Sequence, residues 1–228
     1  MAAAGASAAA GLRGTGKMKN AVTFFTAEEQ ERIRQAVIAA EAKTSGEIVP
    51  MLVTTSGRYA EVEMRGMVFG LIIGTLLEFV LDDPWLALHA QALWPLAGSL
   101  IGFLVSTIPA VKTRLIARGR IAEAVHLRAL AAFTAHGLHY TKAHTGILIM
   151  ASLFEHRVVV LADKGINDKC PTGPWDQVVQ IVTSGLKSGA GCEGFCKAIA
   201  QCGEILAQEF PRSANDSDEL PDKLVTEQ

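Results

Sequence analysis

The feature that most constrains this chain is a nearly uncharged apolar stretch between about Gly66 and Pro109. Its first part, residues 66–81, contains ten Leu, Ile, Val or Phe residues and a single charge, Glu78. Each of these apolar side chains favours membrane insertion by about 0.3–0.6 kcal/mol, and their sum outweighs the ~2.5–3.5 kcal/mol that opposes one central charge. The segment is short for a membrane span, since about 16 helical residues rise roughly 24 Å against ~30 Å of hydrocarbon.

A second apolar segment follows Pro84, so we expect a transmembrane helical hairpin over residues 66–109, with helices at about 66–81 and 88–108. The alternative is a hairpin buried in a soluble or oligomeric core, although helices that are apolar on all sides usually face lipid. The turn between the two segments carries no Lys or Arg, whereas basic residues flank the hairpin at Arg58, Arg65, Lys112, Arg114, Arg118 and Arg120. The positive-inside rule then predicts a multi-pass protein of the cell (inner) membrane with both termini in the cytoplasm.

The composition of the chain indicates one domain with flexible or disordered ends. Only 19% of the 228 residues are charged and the net charge is −2, so no global basic field favours nucleic acid as a partner. Residues 1–23 begin as an Ala/Gly-rich run without an apolar signal core and are expected to form a flexible tail. Translation starting at Met18 is a hypothesis for this end. The acidic residues 212–228 are expected to be disordered.

Patterns on both sides of the hairpin predict alternating helices and strands. Thr26 and Glu29 have the spacing of a capping box that opens a helix. Pro50 places the first strand at an edge or at a bulge, because proline cannot donate to a ladder. The predicted helices are 27–43, 120–134 (continuing the second membrane helix), 175–187 and 191–210, and the predicted strands are 47–55, 146–153 and 157–162. Neither side of the hairpin has enough strands for a stable sheet, so one sheet must combine both sides. The sequence therefore predicts a discontinuous α/β domain, 24–58 plus 112–211.

Several motifs occur in order along this domain. They are Phe24-Phe25-Thr26, Thr44-Ser45-Gly46-Glu47-Ile48, Thr145-Gly146-Ile147-Leu148-Ile149, the run from Arg157 to Ile166, Trp175, and Cys202-Gly203-Glu204-Ile205-Leu206 before Phe210-Pro211. As a set they resemble the TPM domain family, in particular bacterial members with an internal membrane hairpin. The resemblance covers residues 24–211 apart from the hairpin, and it implies an αβα sandwich with an inserted transmembrane hairpin.

The resemblance also implies two kinds of chemistry. Some family members bind calcium through acidic loops, and acid phosphatase activity has been proposed for plant thylakoid members associated with photosystem II repair. Many members carry a glycine-rich segment after the strand pair, whereas this chain has residues 163–169 there, with the sequence Asp-Lys-Gly-Ile-Asn-Asp-Lys.

A candidate metal site lies in this loop. Asp163 and Asp168 follow a buried strand, where α/β folds commonly place ligands, and carboxylates are ligands that divalent cations accept. Lys164 and Lys169 alternate with them and would weaken the field that a cation needs. The other interpretation is a polar turn that enters a helix, with Gly165 supplying backbone freedom. No cofactor and no catalytic residue are predicted.

The remaining reactive side chains are expected to be structural. Cys192 and Cys196 lie four residues apart on a predicted helix, and the bland interpretation is a pair of small buried residues. The histidines lack a carboxylate at ligand spacing, and the serines lack a nucleophile-elbow context. The histidines and serines considered are His126, His136, His139, His144, His156, Ser56, Ser152 and Ser184.

Two functions remain open. In the first, a non-enzymatic membrane module assembles with or scaffolds a membrane-protein partner, or forms a homo-oligomer. The polar residues Glu78, His89 and Gln91 favour this function, because polar groups within membranes tend to face partners. In the second, the protein is a membrane-bound, divalent-ion-dependent phosphatase that uses Asp163 and Asp168. The lipid bilayer is a partner in both cases.

Overall fold

The computed structural model describes residues 20–81, 92–170, 175–212 and 220–227. The chain divides into two compact units, one formed by Met1–Gly57 with Ala122–Gln228 and the other by Arg58–Ile121. We call them the sheet unit and the hairpin unit. The helices, in chain order, are α1 (Ala27–Glu41), α2 (Ala60–Leu81), α3 (Leu93–Thr107), α4 (Pro109–Leu115), α5 (Arg118–Ala135), α6 (Lys164–Lys169), α7 (Trp175–Ser188) and α8 (Gly191–Glu209). Short 3-10 helices cover Ala21–Thr23 and Leu138–Tyr140.

The sheet unit contains a four-stranded mixed sheet, and its fold class is α/β as predicted. The strands are β1 (Glu47–Val53), β2 (Gly146–Ser152), β3 (Arg157–Ala162) and β4 (Val225–Glu227), in the order β3-β2-β1-β4. β1 pairs in parallel with β2, while β2 and β3 form an antiparallel pair. The prediction that one sheet joins strands from both sides of the hairpin is therefore confirmed.

Pro50 occupies the part of β1 that tolerates it. β1 lies between β2 and β4, but β4 pairs only with the segment from Met51 to Val53. At Pro50, the described strands pair with β1 on the β2 side alone. The missing N–H of proline therefore falls where one side of β1 still behaves as an edge.

Both faces of the sheet are buried, as the almost continuous apolar character of its strands predicts. One face contributes Ile48, Leu52 and Ile149 to a core cluster that includes residues of α1, α7 and α8. The alternate residues, among them Met51 and Leu148, have no exposed surface either. Helix α5 has its own buried stripe at helical spacing, Val125, Ala129, Ala132 and Phe133. These contacts make the sheet the centre of its unit.

The capping box at the start of α1 is confirmed. The Glu29 amide donates to Thr26 Oγ1 at 3.2 Å, and the Thr26 amide donates to Glu29 Oε2 at 2.9 Å. Two of the unpaired amides at this helix end are thus satisfied by residues three positions apart.

The predictions of a flexible tail over residues 1–23 and of disorder over residues 212–228 are wrong in part. Asn20 caps the 3-10 helix Ala21–Thr23, and the amide of the fully buried Ala21 donates to Thr54 Oγ1 at 2.9 Å, so residues 20–23 are not a free tail. Residues 1–19 lie outside the described part. At the other end, β4 pairs with β1 and Leu224 is 8% exposed. The polar composition of residues 212–228 predicts disorder, because composition does not reveal pairing with a distant strand. Pairing with β1 orders residues 225–227.

The helix predicted for residues 120–134 does not continue the second helix of the predicted hairpin. The backbone is extended at Ile108 and again at Ile116, and the short helix α4 lies between these two residues. Pro109 occupies the first position of α4, where its missing N–H is harmless, and it disfavours a helical conformation at Ile108. α3 and α4 consequently meet at a bend of 90°. The predicted segments 66–81 and 88–108 correspond to α2 and α3, and residues 82–91 lie outside the described part.

Candidate functional site

The two long helices of the hairpin unit pack through a seam of small residues. α2 presents Gly66, Gly70 and Gly74, four residues apart, and α3 presents Gly98, Gly102 and Ser106 with the same spacing. A Cβ atom added at Gly70 would lie 2.0 Å from the carbonyl oxygen of Gly98, and one added at Gly102 would lie 2.0 Å from that of Gly66. The backbones of α2 and α3 are therefore in direct contact, and no larger side chain fits the seam.

The sequence analysis missed this seam. A small residue at every fourth position is the signal by which close helix pairs in membranes are recognised, and it occurs once in each apolar segment. The predicted hairpin rests only on the apolar character of the two segments. The spacing contains the additional information that the helices pair with each other.

The large apolar side chains of α2 and α3 point away from the seam. Phe69 is 65% exposed, Leu100 59% and Phe79 83%. Others with at least two-fifths of their surface exposed are Met64, Met67, Val68, Leu71, Ile72, Ile73, Leu76, Leu77, Val80, Leu93, Leu96, Ile101, Leu104 and Val105. Single exposed apolar residues are ordinary on soluble proteins, but a continuous surface of this kind marks an interaction site.

Charged residues cluster at the base of the hairpin, where α2 begins and α3 gives way to α4. Lys112 Nζ lies 2.7 Å from Glu63 Oε1, and Arg120 Nε lies 3.7 Å from Glu61 Oε1. These two ion pairs hold α4 and the start of α5 beside the first turns of α2.

Within the described ranges, no single helix combines the length and the apolar character needed to cross a membrane, whereas α3 and α4 together, with their 90° bend, reach both.

The loop that contains Asp163 and Asp168 serves as a helix start. Asp163 is the N-cap of α6; its carboxylate accepts from the Lys164 amide at 2.7 Å and lies 3.2 Å from His144 Nδ1. Asp168 is exposed near the end of α6. The amide group of Asn167 donates to the Ala162 carbonyl at 2.7 Å. In the described part of the chain, His, Cys, Asp and Glu side chains nowhere form a group of three that could hold a metal ion. The metal site remains a prediction.

A polar cluster that the sequence did not reveal lies at the carboxyl ends of β1 and β2. The buried Glu155 carboxylate accepts hydrogen bonds from the Ser152 hydroxyl, from the Ser56 amide at 2.9 Å and from Thr55 Oγ1 at 3.1 Å. Ser56 Oγ donates in turn to Ser152 Oγ at 2.9 Å. Several donors compensate for the removal of this carboxylate from water.

The chemistry of the Glu155 cluster favours a fastening role. It joins the loop after β1 to the turn between β2 and β3, although these segments are about 100 residues apart. His156 is the neighbouring residue that could act as a base, but its buried Nδ1 atom has no hydrogen-bond partner among the described residues. Burial lowers the pKa of His156, so this ring is neutral near pH 7.

The C-terminal strand is anchored by ionic contacts as well as by the ladder. Glu227 Oε2 lies 2.6 Å from Arg128 Nη2, and its Oε1 lies 3.4 Å from His136 Nε2, both on or next to α5. The Thr54 amide donates to the Glu227 carbonyl at 3.0 Å. His136, one of the histidines expected to be structural, thus lies beside the Glu227 side chain that ties β4 to α5.

The four cysteines form no disulfide. Cys192 and Cys202 are buried, and Cys192 Sγ and Cys196 Sγ approach the carbonyls of Glu29 and Arg32 in α1, at 3.5 Å and 3.8 Å. Burial raises the pKa of Cys192 to about 11, with the neighbouring Cys196 adding to the effect. Protonated thiols packed against a helix act here as small apolar side chains.

Comparison with known proteins supports the fold class and leaves the function open. No family model matches the chain, and no curated protein matches it. Among solved structures, it is similar to the NMR structure of the BA42 protein from the psychrophilic bacterium Bizionia argentinensis, with 23% sequence identity and a TM-score of 0.56. The match covers 90% of this chain and 96% of that chain. At this identity the similarity concerns the fold alone.

Proposed function

We propose that this chain is a membrane-anchored α/β protein whose hairpin, α2 with α3, lies in the bilayer. The single observation that carries the proposal is the packing of the hairpin, with glycines in the seam and large apolar side chains outside. A helical hairpin in water gains stability by burying its large apolar residues, each worth about 1.5–3 kcal/mol. Lipid tails solvate such residues as well as a protein core does, so helices in membranes associate instead through close backbone contact.

The dimensions of the hairpin fit a bilayer with some local adjustment. α3 has 15 residues and α2 has 22, which correspond to rises of about 22 Å and 33 Å. A span shorter than ~30 Å of hydrocarbon is accommodated by thinning of the bilayer, at a fraction of a kcal/mol per Å. By the positive-inside rule, the basic residues flanking the hairpin support a cytoplasmic location for both chain ends, and we propose a multi-pass inner-membrane protein.

The sheet unit is proposed to be an αβα sandwich of the TPM type. The resemblance of its motifs to that family supports this assignment. The burial of both sheet faces, together with helices α1, α7 and α8 in the core of one face, is what such a sandwich requires.

Its role is proposed to be non-enzymatic assembly with a membrane-protein partner or with a second copy of the chain. Glu78 supports this role, because it is a half-buried carboxyl group within an otherwise apolar helix surface. A divalent-ion-dependent phosphatase has less support, since the Asp163 carboxylate already contacts the start of α6 and His144.

Membrane flotation of the full chain tests the anchoring. After bacterial expression, the protein is expected to float with membranes and to resist extraction at alkaline pH. A variant in which residues 58–121 are replaced by a flexible Gly/Ser linker should remain in the aqueous fraction. A wild-type protein recovered as a monodisperse aqueous species would overturn the proposal.

Affinity purification in mild detergent tests the assembly role. The wild-type chain and a Glu78→Leu variant are compared for co-purifying membrane proteins and for self-association. Loss of a partner in the variant is expected, and an unchanged partner list would remove Glu78 from the proposal.

A further inference from the structure

Four arginines at the base of the hairpin are exposed and have no ionic partner among the described residues. Arg58 and Arg65 lie before and within α2, whereas Arg114 lies in α4 and Arg118 begins α5. The other two basic residues of this region, Lys112 and Arg120, pair with Glu63 and Glu61. Pairing among the described residues therefore accounts for two of the six positive charges.

The four arginines lie at one end of the hairpin unit. Arg65 directly precedes Gly66, the seam residue that touches Ser106 at the end of α3. The Lys112–Glu63 pair, with the two side chains 20% and 30% exposed, places α4 against the first turn of α2, and so fixes Arg114 nearby. The Arg120–Glu61 pair does the same for Arg118.

The axes of α3 and α4 meet at 90°, and this angle determines how α4 and its arginine are oriented relative to α3. If α3 runs through the bilayer, α4 lies along the membrane surface. Ile108, directly before α4, and Leu115, its last residue, are 48% and 51% exposed. Exposed apolar residues next to unpaired arginines, in a segment parallel to the surface, are the arrangement by which proteins bind the boundary between headgroups and acyl chains.

We propose that Arg58, Arg65, Arg114 and Arg118 bind the phosphate headgroups of anionic lipids, and that the hairpin is surrounded by such lipids at its cytoplasmic end. This inference rests on the proposed membrane function. The planar guanidinium group donates two parallel hydrogen bonds to a phosphate. In a zwitterionic headgroup, a positive group offsets the negative charge of the phosphate and so weakens its attraction for arginine. Free inorganic phosphate presents the same oxygens but lacks the acyl chains that the neighbouring apolar residues require.

Native mass spectrometry of the full chain in mild detergent tests the inference. The protein is mixed with equal amounts of phosphatidylglycerol and phosphatidylcholine, and the ratio of the two retained lipids is measured. The wild-type chain should retain more phosphatidylglycerol, and an Arg114→Gln, Arg118→Gln variant should lose about fivefold or more of that preference, because each arginine near an anionic surface contributes to binding. Raising the salt concentration from ~0.05 M to ~0.5 M should weaken the preference.

Three controls make the result specific. An Arg114→Lys, Arg118→Lys variant keeps the charges and should keep most of the preference, which separates charge loss from misfolding. An Arg32→Gln, Lys187→Gln variant removes two exposed basic residues of the sheet unit and should behave as the wild type does. Millimolar inorganic phosphate should not displace the lipid; displacement would identify a phosphate site instead.

Equal retention of the two lipids by the wild-type chain would overturn the inference, and so would an unchanged ratio in the glutamine variant. Either result leaves the proposed function standing if the chain still floats with membranes. A chain that fails to float fails the proposed function first.

Discussion

The Glu41 carboxyl group lies at the end of α1 in a cluster of acidic side chains. Its Oε1 accepts from the Ile48 amide at 2.7 Å, and its neighbours include Glu47 and Asp222. Burial is the largest influence and raises the pKa of Glu41 to about 9. The hydrogen bond from the Ile48 amide lowers this pKa, and the nearby Glu47 and Asp222 carboxyl groups raise it further. Glu41 therefore carries a proton at neutral pH, and its carboxyl group is hydrogen-bonded to Asp222, next to the C-terminal strand.

This protonation makes stability depend on pH. A carboxyl group that binds its proton more tightly in the folded state contributes stability below its unfolded pKa, near 4.5, and loses that contribution as the pH rises through about 9. Chemical denaturation in mild detergent should therefore give a lower free energy of unfolding at pH 8.5 than at pH 5.5. In Glu41→Gln this difference should shrink, since the amide does not titrate.

Glu31 provides the matched control on the same helix. The Arg34 guanidinium holds the pKa of Glu31 at about 2, so Glu31 stays ionised between pH 5.5 and 8.5. Glu31→Gln should leave the pH dependence as it is in the wild type. A wild-type chain that is equally stable at the two pH values would contradict the account of Glu41.

At the residue scale, contacts within a few positions could be predicted and contacts across the fold could not. The Thr26–Glu29 capping box joins residues three apart, so its partners are visible in the sequence. The Glu155 cluster joins residues about 100 positions apart, and nothing around Ser56 or Ser152 indicates the other partner. Asp163 and Asp168 are predicted as site residues from their position after a strand, and this position does not identify His144 as a partner of Asp163.

At the scale of elements, the contact between α2 and α3 depends on the absence of side chains. Gly70 and Gly98 each approach the other's carbonyl group closely enough that a Cβ atom would lie 2.0 Å or 2.2 Å from it. Because both obstructing atoms belong to the backbone, neither can move aside as a flexible side chain would. The seam fixes which faces of the helices meet and which faces remain exposed.

Gly70→Val should force the helices apart. Overpacking of this kind destabilises by about 1–3 kcal/mol, and the effect should appear in the thermal unfolding of helix in detergent micelles. Gly119→Val is the matched control in the hairpin unit, since nothing lies within 4 Å of a Cβ added at Gly119. Gly119→Val should change the unfolding free energy by less than about 0.5 kcal/mol. Equal effects of the two substitutions would contradict the packing described for the seam.

The C-terminal strand β4 could not be predicted from the sequence, because its conformation depends on pairing with β1. β4 has three residues, and their ladder partners are Met51, Leu52 and Val53 in β1. Residues 212–228 are mostly polar, and apolar and polar residues do not alternate there over enough positions to indicate a strand. Tertiary pairing determines the structure there.

Leu224→Ala tests whether β4 is held as described. Leu224 is 8% exposed, so truncation should lower the free energy of unfolding by about 2 kcal/mol or more. Leu127→Ala, at a residue 56% exposed on α5, should have an effect within about 0.5 kcal/mol. If the two substitutions have the same effect in chemical denaturation, the C-terminal segment does not contribute to the core.

At the scale of the whole molecule, one chain combines two units that follow opposite packing rules. The core cluster of the sheet unit draws all its members from outside residues 58–121, and large apolar residues fill it. The hairpin unit places its small residues inside and its large ones outside. The sequence predicted the α/β class, the shared sheet and the hairpin position from hydrophobic patterns, since these patterns record which side chains avoid water. It could not distinguish avoidance of water in a core from avoidance of water in lipid.

The most direct test of the central claim is fluorescence quenching of a tryptophan placed on the outer face of the hairpin, in vesicles. Phe69→Trp and Tyr140→Trp are compared in a background in which Trp85 and Trp94 are replaced by Phe. Phe69 is 65% exposed in the hairpin unit, and Tyr140 is 80% exposed in the sheet unit. The remaining tryptophan, Trp175, is only 2% exposed. Lipids with brominated acyl chains should quench the Phe69→Trp emission while aqueous acrylamide should not, and Tyr140→Trp should show the reverse. Quenching of both variants by acrylamide, with no effect of the brominated lipids, would contradict it.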